Sequence, residues 1–592
     1  MKSPSPNDKE DTANLVRFAV VALALLFLYQ TFFQKPQQQP IQPQSQQALS
    51  QQAQQSIPAP VPDQQDIKPR ADVIAATSRV PIHGAKVTGS ISLAGARIDD
   101  LSLNDQYLTI EKKEHVALLS PSGTADAYYI ESGWTSDDKT AVLPDAKTVW
   151  SLAAGSAKTL VTGSTVTLQW DNGHGLLFER TIALDENYLF TVTQKVTNKT
   201  TSEIKLNAWH LISRHSLPPG YGANMYLHEG PLADLDDKLT ELTYKDIIGG
   251  KSLESDDVHG WLGITDKYWF VGVFPAPDEK FNARIIGSTT GTAQSFQTDI
   301  VSGTQTLAPG KSVEDKKFIF TGIKNMPLIN AYQKLYGFRH MDLTFDFGKL
   351  FFITKPFFFL LHWLMDLTGN VGLAILCMTV IIRTAMFPLA SKSYRSMAGM
   401  KKIGPQMQLL KEKYGSDKDK LQAELLELYK KEDVNPFSGC WPMLVQIPIF
   451  IALYKSILLS VEMRHAPFWG WIHDLSSPDP TNIFTLFGLI PWNPPYSIGA
   501  WPCLYCLTMI LLQRLAPPMP DKTQNQLQSY FPFIFTFMFA KFSAGLVIYW
   551  TWSNALSVLQ QYYILRKIGG QDVSLLRGHS ERRKKKQPPA NG

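Results

Sequence analysis

Residues 371–390 read VGLAILCMTVIIRTAMFPLA, about twenty apolar positions with one charge, Arg383, set inside them. That length matches one crossing of a bilayer core. An arginine at the centre of such a helix costs about 2.5–3.5 kcal/mol on insertion scales. The other apolar stretches carry no Asp or Glu to pair with it. A lone cation of this kind suits a water-filled intramembrane space in which it holds a passing anion. The competing reading is an arginine that snorkels to the cytoplasmic interface. Eight uncharged residues separate Arg383 from Lys392, leaving the side chain about 13 Å of helix to climb.

Working outward, four more apolar segments follow, at 440–459, 498–514, 529–542 and 545–566. The periplasmic loop 461–497 contains a further apolar run broken by Gly488, Pro491, Pro494 and Pro495, so it is placed outside the bilayer. Near the start, 15–33 (LVRFAVVALALLFLYQTFF) has an apolar core too long for a cleaved signal and no small-residue cleavage site after it. It is read as an uncleaved anchor behind a cytoplasmic segment, 1–14. Positive charge orients the chain. The stretch 391–435 holds ten Lys and Arg, among them Lys392, Arg395, Lys401, Lys402 and Lys411, and the tail 567–592 includes RRKKK at 582–586. Both belong in the cytoplasm, as does the loop 515–528. Six spans with both termini inside satisfy this, which puts the polar middle of the chain outside.

That middle begins with a Gln/Pro tether, 34–58, which cannot form a packed core. From 59 to 325 apolar residues alternate with polar ones in short runs (VTLQW at 166–170, LLFERTI at 176–182, YLFTVTQKV at 188–196) broken by Gly, Asn and Asp. Period two with frequent turns predicts an antiparallel β-sandwich. His210, His215 and His228 are read as sandwich-edge residues. In 343–367, Lys355, His362 and Asp366 recur at helical spacing opposite 357–361 and 363–364, which predicts a helix lying in the membrane interface. The fold class is thus a polytopic α-helical membrane protein carrying an outer all-β domain.

Composition excludes several functions. With 57 basic and 52 acidic residues in 592, net charge is only +5, so no DNA-binding surface is expected over the whole protein. The run at 582–586 suits anionic lipid or ribosomal RNA. All four cysteines lie in apolar segments, and Cys503-x-x-Cys506 has no His or Asp beside it, so helix-packing thiols are expected, with no metal, cofactor or catalytic residue. No phosphate-binding G-x-x-x-x-G-K-[ST] run is present. The basic stretch 391–435 reads as a helical hairpin, with Met397, Met400, Met407, Leu410 and Tyr414 on one helix and Leu421, Leu425 and Leu428 on the other. Ser416-Asp417-Lys418-Asp419 supplies the second helix's N-cap.

The spans also carry polar groups that lipid would reject: Thr379, Gln446, Asn554, Ser557, Gln560 and Gln561, besides Arg383. Each is ordinarily an interhelical hydrogen bond; together they suit a hydrated groove. The elements VIIRTAMFPL around Arg383, the basic hairpin, NPFSGCWPMLVQIPIFIALY (435–454), APFWGWIHDLSSPDP (466–480) and SAGLVIYWTWSNALSVLQQ (543–561) resemble the YidC family of membrane insertases, in its Gram-negative form with a large periplasmic domain. The resemblance implies six transmembrane helices with a five-helix core, an interfacial helix and a periplasmic supersandwich. It implies a hydrophilic groove containing Arg383, Thr379, Gln446 and Asn554, and an apolar slide of Ile447, Phe450, Tyr549 and Trp550. Trp550 stands where the family often has a second tyrosine, and Lys541 is another departure.

The expected function is a non-enzymatic insertase and chaperone of the bacterial inner membrane. Its expected partners are nascent membrane proteins, the ribosome, the Sec translocon and anionic lipids. The alternatives are a secondary transporter, which ordinarily needs an intramembrane acid, and a membrane-anchored glycan-active protein, which needs a carboxylate pair in a cleft.

Overall fold

A computed structural model describes residues 67–222, 227–290, 293–415, 417–432, 441–491, 494, 496–515 and 522–569. The anchor expected at 15–33, the tether at 34–58 and the basic run at 582–586 lie outside the described residues. The chain forms two compact units that meet in sequence at Lys349 and Leu350.

The first unit is mainly β, with one sheet of eleven strands and one of nine among the described residues. In the first sheet Ile204–Arg214 runs antiparallel between Tyr128–Thr135 and Ala293–Ser302. In the second, Leu189–Asn198 lies between Leu176–Leu184 and Ser312–Ile323. The alternation at 176–184 is realised residue by residue: every second side chain of Leu176–Leu184 is buried. Phe178, Phe190, Phe270, Phe296, Phe320 and Trp261 fill the interior. Tyr128–Thr135 is buried on both faces, so no period is visible in its sequence.

His210 is not an edge residue. It is fully buried, with Ser132 Oγ 2.9 Å from Nδ1 and Asp315 Oδ2 2.8 Å from Nε2. Asp315 also receives Lys317 Nζ, itself fully buried, which reaches Glu279 at 2.7 Å. Burial would raise the Asp315 carboxyl, but the hydrogen bond from His210 and the charge of Lys317 hold it well below the usual range. Burial pushes His210 below its ordinary value despite Asp315. His228 is buried as well, and only His215 is partly exposed.

The second unit is helical: α1 (Phe351–Thr368), α2 (Val371–Ala385), α3 (Phe387–Tyr414), α4 (Lys418–Lys431), α5 (Trp441–Leu459), α6 (Ala500–Leu515), α7 (Lys522–Phe539) and α8 (Ala544–Gly569). Among the described residues no single helix is long and apolar enough by itself to cross a membrane. The stretch 371–390 is not one straight helix. It breaks at Met386, and α2 and the first turns of α3 meet at a 60° bend. Pro388 explains the break: its ring and missing N–H disfavour helical continuation through the residues before it, and it falls in the first turn of α3, where that loss costs little.

One further sequence expectation changes. In α1, His362 does not point to solvent. Its Nδ1 lies 2.8 Å from Phe358 O and its Nε2 3.1 Å from Glu462, just beyond α5. Asp366 is exposed, and the exposed side of α1 is otherwise largely apolar, with Phe351, Phe352, Phe359, Trp363 and Leu367. In the hairpin, Met407 is buried and lies 4.0 Å from Tyr429 OH of α4, so it belongs to the hairpin's internal packing. Asp417 caps α4 by accepting from Lys420 N.

The loop between α5 and α6 braces the bundle. Asp479 accepts from Trp501 N at 2.8 Å and from Trp471 Nε1 at 3.1 Å, capping α6. Ala544 N and Gly545 N at the start of α8 donate to Ser477 O and Leu475 O. Phe468 packs so closely on α2 that a Cβ at Gly372 would stand 2.0 Å from its ring. Ile375, Met378 and Ile382 of α2, Ile449 and Leu453 of α5 and Ile548 of α8 form the common core.

Candidate functional site

Because α2 ends at Ala385, Arg383 sits in its last turn rather than mid-span. A cation there faces the unpaired carbonyls of the helix C-terminus, an interaction of about 0.3–1 kcal/mol or more when partly buried. The bend therefore helps to stabilise the charged arginine at the helix end. Its Nε donates to Ser553 Oγ of α8 at 3.0 Å, and Nη2 donates to the same oxygen. Among the described residues, these hydrogen bonds go to a hydroxyl and not to a carboxylate.

The other groups around it come from four helices. On α8, Tyr549, Ser553 and Ser557 fall four residues apart and share a face. Tyr549 is buried, and its hydroxyl accepts from Gln446 Nε2 of α5 at 3.2 Å. Thr379 lies one turn before Arg383, buried, with its hydroxyl donating to Ile375 O at 2.7 Å. Tyr394 of α3 completes the polar lining. Apolar Ile382, Met386 and Leu389 line the remainder. The cavity measures about 30 Å³, and at about 10–15 Å³ for each water it has room for two or three. It is small and lined by both polar and apolar side chains.

The structure brings Arg383, Thr379, Gln446 and Tyr549 to this cavity. It does not bring Asn554 there, because Asn554 hydrogen-bonds Tyr505 of α6. Trp550 lies on the same side of α8 as Asn554, stacked on Phe539 of α7 at 3.7 Å and on Phe450 of α5 at 5.1 Å. One residue along a helix turns the side chain by about 100°, so 549/553 and 550/554 are adjacent but distinct faces. Of the two α5 slide residues, Ile447 is exposed and Phe450 is packed against Trp550. Sequence reasoning missed Ser553 and Tyr394. The four-residue recurrence of Tyr549, Ser553 and Ser557 was the available signal, and the larger amide of Asn554 outweighed it.

Comparisons with known proteins fall on both units. A family model described as "60Kd inner membrane protein" matches residues 363–571, and one described as "YidC periplasmic domain" matches 79–360. The membrane protein insertase YidC of Nitrobacter hamburgensis is 45% identical over 543 residues, 88% of this chain and 88% of its own. That of Beijerinckia indica subsp. indica is 41% identical over 594 residues, 95% of this chain and 97% of its own. A crystal structure described as an active YidC insertase with its first transmembrane domain resolved is 16% identical, covering 82% of this chain and 95% of its own, with a TM-score of 0.34.

Proposed function

The chain belongs to the YidC family of membrane protein insertases, bacterial inner-membrane proteins with a periplasmic domain, and from that premise we propose that its substrates' polar tails enter at the Arg383 cavity. The observation that carries this reading is the arginine itself, held at the end of α2 by a neutral hydroxyl. A cation without a carboxylate partner keeps its charge available to an incoming anion. Gln446, Tyr549 and Tyr394 add hydrogen-bonding groups where lipid would offer none. No covalent chemistry is needed. Insertion becomes cheaper because a hydrated, cationic recess shortens the hydrocarbon path that the tail crosses.

The substrate's apolar segment then passes along α5 and α8 into lipid, with exposed Ile447 on the slide and Phe450, Tyr549 and Trp550 behind it. Because the cavity has room for only two or three waters, entry of a tail requires it to widen. The bend at Met386 and the hairpin that continues from it are the elements placed to do so. The topology that fits is six spans with both termini cytoplasmic, supported by the basic hairpin and tail. The ribosome, the Sec translocon and anionic lipids are the partners this arrangement would serve.

The test is insertion of one reporter whose translocated tail carries zero, one or two Asp, at matched insertase levels. Arg383→Ala should impair acidic tails more than neutral ones, and Arg383→Lys should retain much of the activity, since a point charge is what is required. Equal impairment across the series would refute the electrostatic role and leave Arg383 as an anchor.

A further inference from the structure

In the β unit, far along the chain from Arg383, the fold brings together two carboxylates and an imidazole that the sequence keeps a hundred residues apart. Asp234 is the last residue but one of the strand Gly230–Leu235, and Asp237 sits in the turn into Lys238–Glu241. His340 follows the helix Met326–Tyr336. We propose that Asp234, Asp237 and His340 bind one divalent transition-metal ion of the zinc type.

The spacing fits. His340 Nδ1 lies 3.1 Å from Asp234 Oδ2 and 3.6 Å from Asp237 Oδ1, and one ligand atom from each of the three residues falls within 4.8 Å of the others. A tetrahedral shell with arms of about 2.0–2.1 Å has edges of about 3.3–3.4 Å, between the two measured separations. An ion at the centre needs only small side-chain adjustments.

The second observation is independent of that spacing. Asp234 is 2% exposed, yet its Oδ1 has no hydrogen-bond partner among the described residues. Buried polar atoms are nearly always satisfied, and in Asp234, which lines a cleft and meets His340 through Oδ2, the second carboxylate oxygen is left as an unmet demand for a positive group. Asp234 thus supplies a rigid, desolvated anchor. Asp237 and His340, 61% and 46% exposed, close the site from the solvent side and leave coordination positions for water.

The surroundings hold the three ligands in place. Trp261 Nε1 donates to Arg339 O at 2.9 Å and fixes the backbone beside His340. Asp236 and Asp237 both take left-handed backbone conformations, which sets the tight turn carrying Asp237. His259 and Asp236 line the same cleft. An imidazole nitrogen in a three-ligand set favours zinc and its neighbours; calcium prefers six to eight oxygens, and magnesium keeps most of its waters. The ion would staple the 230–241 hairpin to the segment that leaves the β unit.

The experiment uses the full chain, purified in detergent without a His-tag, stripped with EDTA and dialysed against zinc. Bound zinc is measured by elemental analysis and calorimetry. Wild type should retain one zinc more than the Asp237→Asn/His340→Gln double variant, and each single variant should bind that zinc at least ten-fold more weakly. Both positions are exposed, so the variants are expected to fold, and circular dichroism of the β unit checks this. Equal zinc retention by wild type and the double variant would overturn the site. Equal retention of calcium and zinc by wild type would overturn the assigned class of ion.

Discussion

Arg383 on α2 and Ser553 on α8 are 170 residues apart and meet through a 3.0 Å hydrogen bond from Nε to Oγ. The pairing decides how the arginine is presented. A carboxylate in that place would neutralise it, whereas a serine hydroxyl orients it and leaves the charge unspent.

Ser553→Ala removes that acceptor. Hydrogen bonds to charged groups contribute about 1.5–3 kcal/mol, so the variant should be measurably less stable and Arg383 less well positioned. Insertion of the acidic-tail reporter should fall, but less than in Arg383→Ala. Asn554→Ala, which removes the Tyr505 contact, should leave the dependence on tail charge unchanged. Identical behaviour of the two variants would remove the distinction between the 553 and 554 faces of α8.

Ile447 and Phe450 are expected to differ as crosslinking sites. A photoreactive residue at exposed 447 should capture a ribosome-bound nascent membrane protein efficiently. At 450, behind Trp550, capture should be weaker and should rise when Trp550→Ala opens the stack. Stronger capture at 450 in the unmodified background would contradict the packing.

Gly372→Ala places a methyl 2.0 Å from Phe468 Cδ2. Overpacking of this kind costs about 1–3 kcal/mol. The thermal midpoint of the detergent-solubilised protein should drop, and Phe468→Leu on the same background should recover part of the loss. A midpoint unmoved by the alanine would mean that the α5–α6 loop does not brace α2.

The β unit should lose stability on acidification through His210. Its folded value lies below the ordinary one because burial disfavours the imidazolium, so as pH falls below about 6.5 the unfolded chain takes up a proton that the folded chain refuses. Stability therefore falls with pH, by at most about 1.4 kcal/mol per unit for one proton. Asp315 works in the same direction at lower pH: its depressed value gives stability present above about pH 4 and lost as pH falls through the folded value. Other buried carboxylates titrate oppositely, so the quantity to measure is the difference between wild type and His210→Gln from pH 7 to 5. A difference that does not change with pH would show that His210 does not titrate on unfolding.

Deleting residues 582–586 should weaken ribosome binding and flatten its salt dependence, because fewer phosphate counterions are released. An unchanged salt slope would assign the tail to lipid or to neither partner.

Much of this architecture was legible in the order of residues. Lengths of apolar runs, alternation at 176–182 and 188–196, and the basic content of 391–435 depend only on local composition and period, which a chain displays before it folds. The same holds for Arg383, whose oddity is that of one charge in an apolar run. Tertiary structure alone decided what each polar group meets. Whether 553 or 554 faces Arg383 turns on a 100° rotation fixed by how α8 crosses α2. Pro388 carried a signal for the bend at Met386, but the run of apolar residues outweighed it. His210 became interior because two sheets closed over it, and His340 met Asp234 because a hairpin and a helix end were packed together. Those choices belong to side-chain packing between distant elements, and neither period nor spacing encodes it.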